Sequence, residues 1–443
     1  MTSAVSHTAT THRRDDGGFA HHDATRQPIV VKKFGGTSVG GLDRIRNVAR
    51  LVRAFKDEHP EKGVVVVVSA MAGETNRLVS LAKECVRNPN PRELDVLLAT
   101  GELVSSALTA MALQEEGINA RSFDGYLARI STDEQHTNAK IQSIDGALLR
   151  DLLDKGGVPV VAGFQGVTPS GDFTTLGRGG SDITAVAIAS ALSAEACYIY
   201  TDVEGIYSAD PRVCPRVRRL ERVSHEEMFE LASLGAKVLH PRSVYFAMRY
   251  GVPLAVLSTF NPARKTWIVK ESELMEKPVV TGVTYRLDDA KITVIGMPKG
   301  GHPLSVLFSK LAAADVFIDV ITQSELGGDH MNVSFTVPGE TAEQVAQMLD
   351  LLLPELGARE FVIDRDIAKV SIVGVGMRYH AGVASTAFEV LASHGISTMM
   401  ISTSEIKLSV VIPRKFSDIA IRALHDAFVT IDPENAIEMA AER

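Results

Sequence analysis

"VVKKFGGTSVGGLDRIRNVARL", residues 30–51, reads as a strand that runs through Lys33 into two glycines and two hydroxyls and leaves as a helix. A strand that breaks at glycines and restarts as a helix leaves backbone N–H groups without partners, aimed at one place, and such a place attracts an anion. The stretch is not a Walker loop, because Lys33 precedes Gly35, Gly36, Thr37 and Ser38 instead of following the glycines. Nor does it match the Gly-x-Gly-x-x-Gly dinucleotide fingerprint. Taken alone, the turn is equally compatible with a tight strand-to-helix connection carrying a surface lysine.

Working outward, apolar residues at Leu42, Ile45, Val48, Val52 and Phe55 recur at spacings of three and four, so the helix lays one face on a sheet. From Pro28 to about Lys270 such helices alternate with apolar strands: "IVVKKF", "GVVVVVSAM", "VPVVAGFQGV", "ACYIYTDV" and "PLAVLS". The pattern predicts an α/β domain with a mainly parallel sheet covered by helices on both faces. Ligands of such sheets gather beyond the carboxyl ends of the strands, where Lys33, Ser69, Gly163 and Asp202 lie. A second helix, roughly 92–116, carries Glu102; a third starts at "TLGRGGSD", with Ser181 or Asp182 expected as its cap.

The last third carries a repeat. "KITVIGM" (291–297) and "KVSIVGV" (369–375) are two versions of one strand, with Gly296 and Gly374 78 residues apart. Each is followed by a helix, a strand ending in "DVITQSE" or "MMISTSE", and a further strand, "MNVSFTV" or "KLSVVI". This is a duplicated β-α-β-β-α unit. Its sheet edges need cover, which pairing within or between chains supplies.

At 443 residues several domains are expected, and 46 basic against 54 acidic residues argue against nucleic acid or a membrane surface as the main partner. No apolar run was seen to approach the ~20 residues of a membrane span. Cys85, Cys197 and Cys214 have neither metal spacing nor a disulfide framework and suit a reducing compartment. Residues 1–27, polar and rich in His, Ser and Thr, read as a disordered tail without a secretory h-region.

"KFGGTSV", "SAMAGETN", "LGRGGSD", "TDVEGIYSADPRV" and "GAKVLHPRS", in this order and followed by the duplicated tail, closely resemble the aspartate kinases, amino acid kinase family members with two C-terminal ACT domains. The resemblance covers residues 29–430. It implies a catalytic domain over 28–275 and two ferredoxin-like α+β ACT domains over 286–357 and 365–443. It also implies a cytoplasmic homodimer or higher homo-oligomer joined through the ACT domains, acting on L-aspartate with ATP and Mg²⁺.

The chemistry agrees with the resemblance. Phosphoryl transfer needs charge neutralisation and alignment, for which Lys33 and backbone N–H groups serve. A carboxylate acceptor, with a reference pKa of about 4, is already ionised and needs no general base. Arg178 can clamp a substrate carboxylate through its planar fork, and Glu102 can receive an ammonium. By resemblance Lys33, Arg178 and Asp182 are catalytic, and Ser69, Thr75, Glu102, Arg178, Gly179, Gly180 and Ser181 surround aspartate. Lys33, Phe34, Gly35, Gly36, Thr201, Asp202, Tyr207, Arg212 and Lys237 align with nucleotide-binding positions. No residue is assigned to a metal, since Mg²⁺ is expected on phosphate oxygens and water.

Plainer readings exist for each: a structural Glu102–Arg178 ion pair, a turn at Asp202, a dipole-favoured Lys237, a half-buried Tyr207 ring, and a structural His240. Other acceptors (glutamate, an acylated amino acid, a nucleoside monophosphate) and an ACT-based amino-acid sensor with a vestigial kinase domain are the alternatives. Asp319, Gln323, Ser397 and Thr398 fall at effector positions. There the chain departs from the family: "MPKGGHP" puts Lys299 where an acid is usual, which predicts weak or absent inhibition by lysine and threonine.

Overall fold

The structure, a computed structural model, describes residues 27–236, 238–274, 279–429 and 436–438. The tail read as disordered therefore lies, but for Gln27, outside the described residues. Eight strands form the central sheet: β1 (Ile29–Phe34), β2 (Gly63–Val68), β3 (Ala120–Phe123), β4 (Val158–Ala162), β5 (Ala196–Thr201), β6 (Arg222–Ser224), β7 (Leu254–Ser258) and β8 (Lys265–Val269). Their order is β6-β8-β7-β5-β1-β2-β4-β3. The five strands from β7 to β4 and the edge strand β3 are all mutually parallel. Only β8, with β6 beside it, runs the other way.

Because successive side chains in a strand point to opposite faces, β1 feeds two cores. Val31, with Val65 and Val67 of β2, packs against Ala185, Val186 and Ile188 of helix α3 (Gly180–Ala191). Val30, Val64 and Val66 meet Ile45, Val48 and Val52 of helix α1 (Leu42–Glu58), the stripe read from the sequence, from which Leu42, at the helix start, departs by being exposed. Lys33 shares the α3 face and Lys32 the α1 face. Helix α2 (Pro91–Glu115) corrects the membrane reading: by length and composition it is apolar enough to span a bilayer. Half of that window is buried, and it carries the buried Asp95 and Glu102, so it serves as a core helix.

The tail holds β9 (Gly282–Arg286), β10 (Asp289–Pro298), β11 (Ile321–Gly327), β12 (His330–Pro338), β13 (Glu360–Asp364), β14 (Ile367–Val373), β15 (Met400–Thr403) and β16 (Lys407–Pro413). They form two four-stranded sheets, β11-β12-β10-β13 and β9-β14-β16-β15, each backed by two helices. The boundaries 286–357 and 365–443 need amending. Strand β13 closes the first sheet on β10, while β9, which precedes the whole first unit, closes the second on β14. The first unit, 289–364, is thus inserted into the second. An outer strand must pair its backbone groups somewhere, but two short strands flanking a repeat carry no local mark of which sheet accepts them. Residues 436–438 leave the second unit altogether and pair antiparallel with 216–218.

Candidate active site

The site is built at the carboxyl end of β1. Lys33 and Asp182 are both nearly buried, and Lys33 Nζ lies 2.6 Å from Asp182 Oδ1. Asp182 sits in the first turn of α3, where a carboxylate is favoured by the helix dipole. Ser181 and Asp182 do not cap that helix, as their side chains accept no capping bond and the N-cap is Gly179 in the left-handed region. Next door, Lys32 points into the opposite core, donating to the Tyr200 hydroxyl at 2.9 Å and lying 3.7 Å from the Phe55 ring centroid. Burial, with Lys265 nearby, pushes the Lys32 ammonium down to about 7.

Past Lys33 the chain turns sharply. Gly35 N donates to Tyr200 O at 3.2 Å, and Ser38 N and Val39 N fold back onto Gly35 O at 2.9 and 3.2 Å. Ser38 Oγ reaches Thr259 Oγ1 at 2.6 Å, fastening the turn to the end of β7. Phe34 is fully buried and stacked on Tyr200, so of this residue only the backbone is free to face a nucleotide.

Opposite the turn, α2 presents Glu102. Its Oε1 accepts from Ala70 N at 2.9 Å; its Oε2 is buried without a partner. Burial raises this carboxyl to about 7, opposed by the backbone donors and by Lys33. One turn on, Ser105 Oγ donates to Ser69 O at 2.7 Å and fixes the half-buried Ser69. Thr75 stands half-buried in the first turn of the helix Glu74–Cys85. Arg178 is exposed and makes no hydrogen bond or ion pair with a described residue, so a Glu102–Arg178 pair is absent among them. It sits between Gly177 and Gly179, directly ahead of Gly180 and Ser181.

On the other side of β1, Thr201 Oγ1 donates to Asp202 Oδ1 at 3.1 Å at the exposed end of β5. Tyr207 is half-buried and bridges to Arg219. Arg212 is held by Asp210 at 2.7 Å, and Asp210 also accepts from the Tyr285 hydroxyl of β9 at 3.2 Å. Lys237 lies outside the described residues. In the tail, Asp319 is taken up by Lys369, Gln323 and Ser397 are exposed, and Thr398 is half-buried. A separate cavity of about 520 Å³ opens in the second unit, lined by Met377, Arg378, Tyr379, His380 and Glu405 among others.

The sequence reading did not single out Asp95, Asn138 or Arg242, and took His240 as structural. One signal was available: Asp95 lies seven residues before Glu102, on the same helical face. Polar residues of a loop such as 133–140 carry no period that would mark them.

Similarity to known proteins agrees with this geometry. The amino acid kinase family profile matches residues 28–258, and an ACT-domain profile matches 370–428. An aspartokinase of Pseudomonas aeruginosa is 50% identical over 402 residues, 90% of this chain and 97% of the relative. The chain belongs to the aspartate kinases of the amino acid kinase family. E. coli aspartokinase III in complex with aspartate and ADP, in its R-state, superposes on this aspartate kinase with a TM-score of 0.74, at 28% identity, over 91% of this chain and 100% of that one. The same E. coli enzyme in complex with lysine and aspartate, in its T-state, gives 0.71 at 27% identity, again over 91% and 100%.

Proposed function

We propose that this aspartate kinase transfers the γ-phosphoryl group of ATP to the side-chain carboxylate of L-aspartate at Lys33, giving 4-phospho-L-aspartate and ADP at the entry to lysine, threonine and methionine synthesis. The observation that carries the reading is the Lys33–Asp182 pair at the mouth of the glycine turn. A lysine held there by one carboxylate keeps its remaining N–H donors for phosphate oxygens, and Asp182 fixes where they point. Charge builds up on the equatorial oxygens of the transferring group, so an ammonium positioned in advance lowers the barrier without acting as acid or base.

The acceptor side supports an amino acid with a free ammonium. Glu102 Oε2 lacks a partner, and a substrate ammonium would supply one, while the unpaired Arg178 takes the α-carboxylate. An N-acylated acceptor has no ammonium to offer. Ser69, Thr75, Gly179, Gly180 and Ser181 complete the aspartate pocket; Gly35, Gly36, the Phe34 backbone, Thr201, Asp202, Tyr207 and Arg212 face the nucleotide. Among the described residues no cluster of three or more His, Cys, Asp or Glu forms a metal cage, which suits a Mg²⁺ that enters on the ATP phosphates. When bound, Mg²⁺ neutralises β- and γ-phosphate charge.

We place the enzyme in the cytoplasm on its three free cysteines, and as a homo-oligomer joined through its ACT units. A coupled ADP-release assay over aspartate, glutamate, acetylglutamate and nucleoside monophosphates tests the activity. ADP release that depends on aspartate alone is expected; release with another acceptor but not with aspartate refutes it.

A further inference from the structure

Arg178 has no partner among the described residues, so its position depends on the backbone that carries it. That backbone is fixed from both sides. Gly177 and Gly179 have φ of +73° and +71°, in the left-handed region. A Cβ on Gly177 would come within 3.0 Å of Asn138 Oδ1 and 3.2 Å of Thr137 O, and a Cβ on Gly179 within 2.2 Å of His240 Cβ. The turn is therefore wedged between the 133–140 loop and the N-cap of helix α5 (Pro241–Tyr250).

The loop is itself bolted down by two buried or half-buried charged groups. Asp95, fully buried on α2, accepts from Thr137 N at 2.9 Å, from the Thr175 hydroxyl at 2.5 Å and from His136 Nδ1 at 2.8 Å. Thr137 has φ of +67°, which a β-branched residue adopts only when its surroundings impose it. Arg242, on α5, spreads its fork over three acceptors: Asn138 Oδ1 at 2.8 Å, Leu176 O at 2.5 Å and Ala139 O at 3.1 Å. Leu176 is the residue before the Gly177 turn. Loop and turn are thus tied to each other by one guanidinium, in a geometry a lysine cannot copy.

We propose that Asp95 and Arg242 are positioning residues of the aspartate site: they hold the 136–139 loop against Gly177 and thereby set where Arg178 presents its guanidinium to the substrate carboxylate. The inference rests on the placing of Arg178 in that site. It gives α2 two tasks, with Glu102 meeting the substrate and Asp95 fixing the loop behind the clamp.

The test uses the full chain with Arg242→Lys, Asp95→Asn, Arg178→Lys and the Arg242→Lys/Arg178→Lys double variant, each checked for an intact thermal transition. Arg242→Lys and Asp95→Asn are each expected to raise aspartate KM about tenfold, with ATP KM within about twofold, since a small displacement of a clamp is costly to the substrate it holds. In the Arg178→Lys background, Arg242→Lys should add much less than it does alone. An unchanged aspartate KM in the folded variants overturns the inference, as does an equal rise in both KM values or full additivity with Arg178→Lys. If Asp95→Asn does not fold, Arg242→Lys decides alone. Should Arg178→Lys by itself leave aspartate KM unchanged, the clamp reading fails and the inference with it; if only Arg178→Lys raises it, the inference alone fails.

Discussion

Lys291 and Lys369 open the two copies of one strand, yet they meet opposite fates. Lys291 is half-buried and takes part in no ion pair with a described residue, while Lys369 is completely buried, its ammonium bonded to Asp289 at 2.9 Å and to Asp319. Those two carboxylates belong to the first unit, so the lysine of the second copy holds the first copy in place. Beside it, Val320 of the first unit packs on Ile367, Met400 and Val411 of the second.

The second unit, in contrast, shares a core with the catalytic segment: Ala209, Cys214 and Val217 pack with Val283, Val370 and Ile372. Polar bonds reinforce the joint. Glu227, buried in helix α4 (His225–Ser233), accepts from Thr281 Oγ1 at 2.6 Å and Val375 N at 3.0 Å, and Lys407 pairs with Glu230 at 3.1 Å. Ser208 Oγ and His425 Nε2 lie 2.9 Å apart. One copy of the repeat is fused to the enzyme, and the other is held to it by Lys369, by Arg286 on Asp289 at 3.2 Å and by a small apolar patch. The first copy keeps its edge strand β11 largely exposed, with Phe317 80% exposed just ahead of it. A duplicated fold has here divided its labour by what each copy buries.

Four measurements sharpen or break this contrast. Glu227→Ala strands the Thr281 hydroxyl and the Val375 N–H inside the joint and should cost about 3 kcal/mol or more in denaturant unfolding. The matching removal at the first unit's joint, Asp319→Ala, takes away a half-exposed carboxylate and leaves Lys369 bonded to Asp289 at 2.9 Å, so it should cost about 1 kcal/mol. Equal losses would show that the two units are attached alike.

Phe317→Asp comes next. It should weaken self-association roughly tenfold or more in sedimentation while leaving kcat per chain within about twofold, because a charge replaces an exposed ring beside an unpaired edge. An unchanged association constant would move the interface elsewhere.

Acidification probes the fused joint. Burial lowers the His425 pKa, as it does those of His225 and His240, so the folded state resists protonation. Stability from such a group is present above its unfolded pKa of about 6.5 and is lost as pH falls through the lower folded value. His425→Gln should therefore flatten the fall in unfolding midpoint between pH 7 and pH 5; an unaltered slope would exclude His425 as its source.

The smallest effect is expected from effectors. Asp319 already serves Lys369, and Lys299 stands where an acid is usual, so an incoming ammonium meets a carboxylate already taken and a like charge. Lysine and threonine, singly or together at about 1 mM, should change activity less than twofold, since each lost polar partner weakens binding by about 1–3 kcal/mol. Half-inhibition below that concentration would mean that other groups of the tail recognise them.

Local pattern by itself determined five of the eight strands of the catalytic sheet, three of its helices, the glycine turn after Lys33 and the duplication of the tail, because period, glycine placement and recurring strands are written along the chain, whereas the short strands β3, β6 and β8 were not marked by it. The aspartate kinase motifs marked Lys33, Glu102, Arg178 and Asp182, which the fold gathers round the ends of β1 and β2 and the start of α3. What only the tertiary structure decided depends on partners distant in sequence: the exchange of β9 and β13 between the two small sheets, the burial of Lys369 but not Lys291, and the bracing of the Arg178 turn by Asp95, Asn138 and Arg242. A strand edge, a buried charge and a loop backbone each need satisfaction from whatever chain closure brings near. No local pattern states which segment that will be.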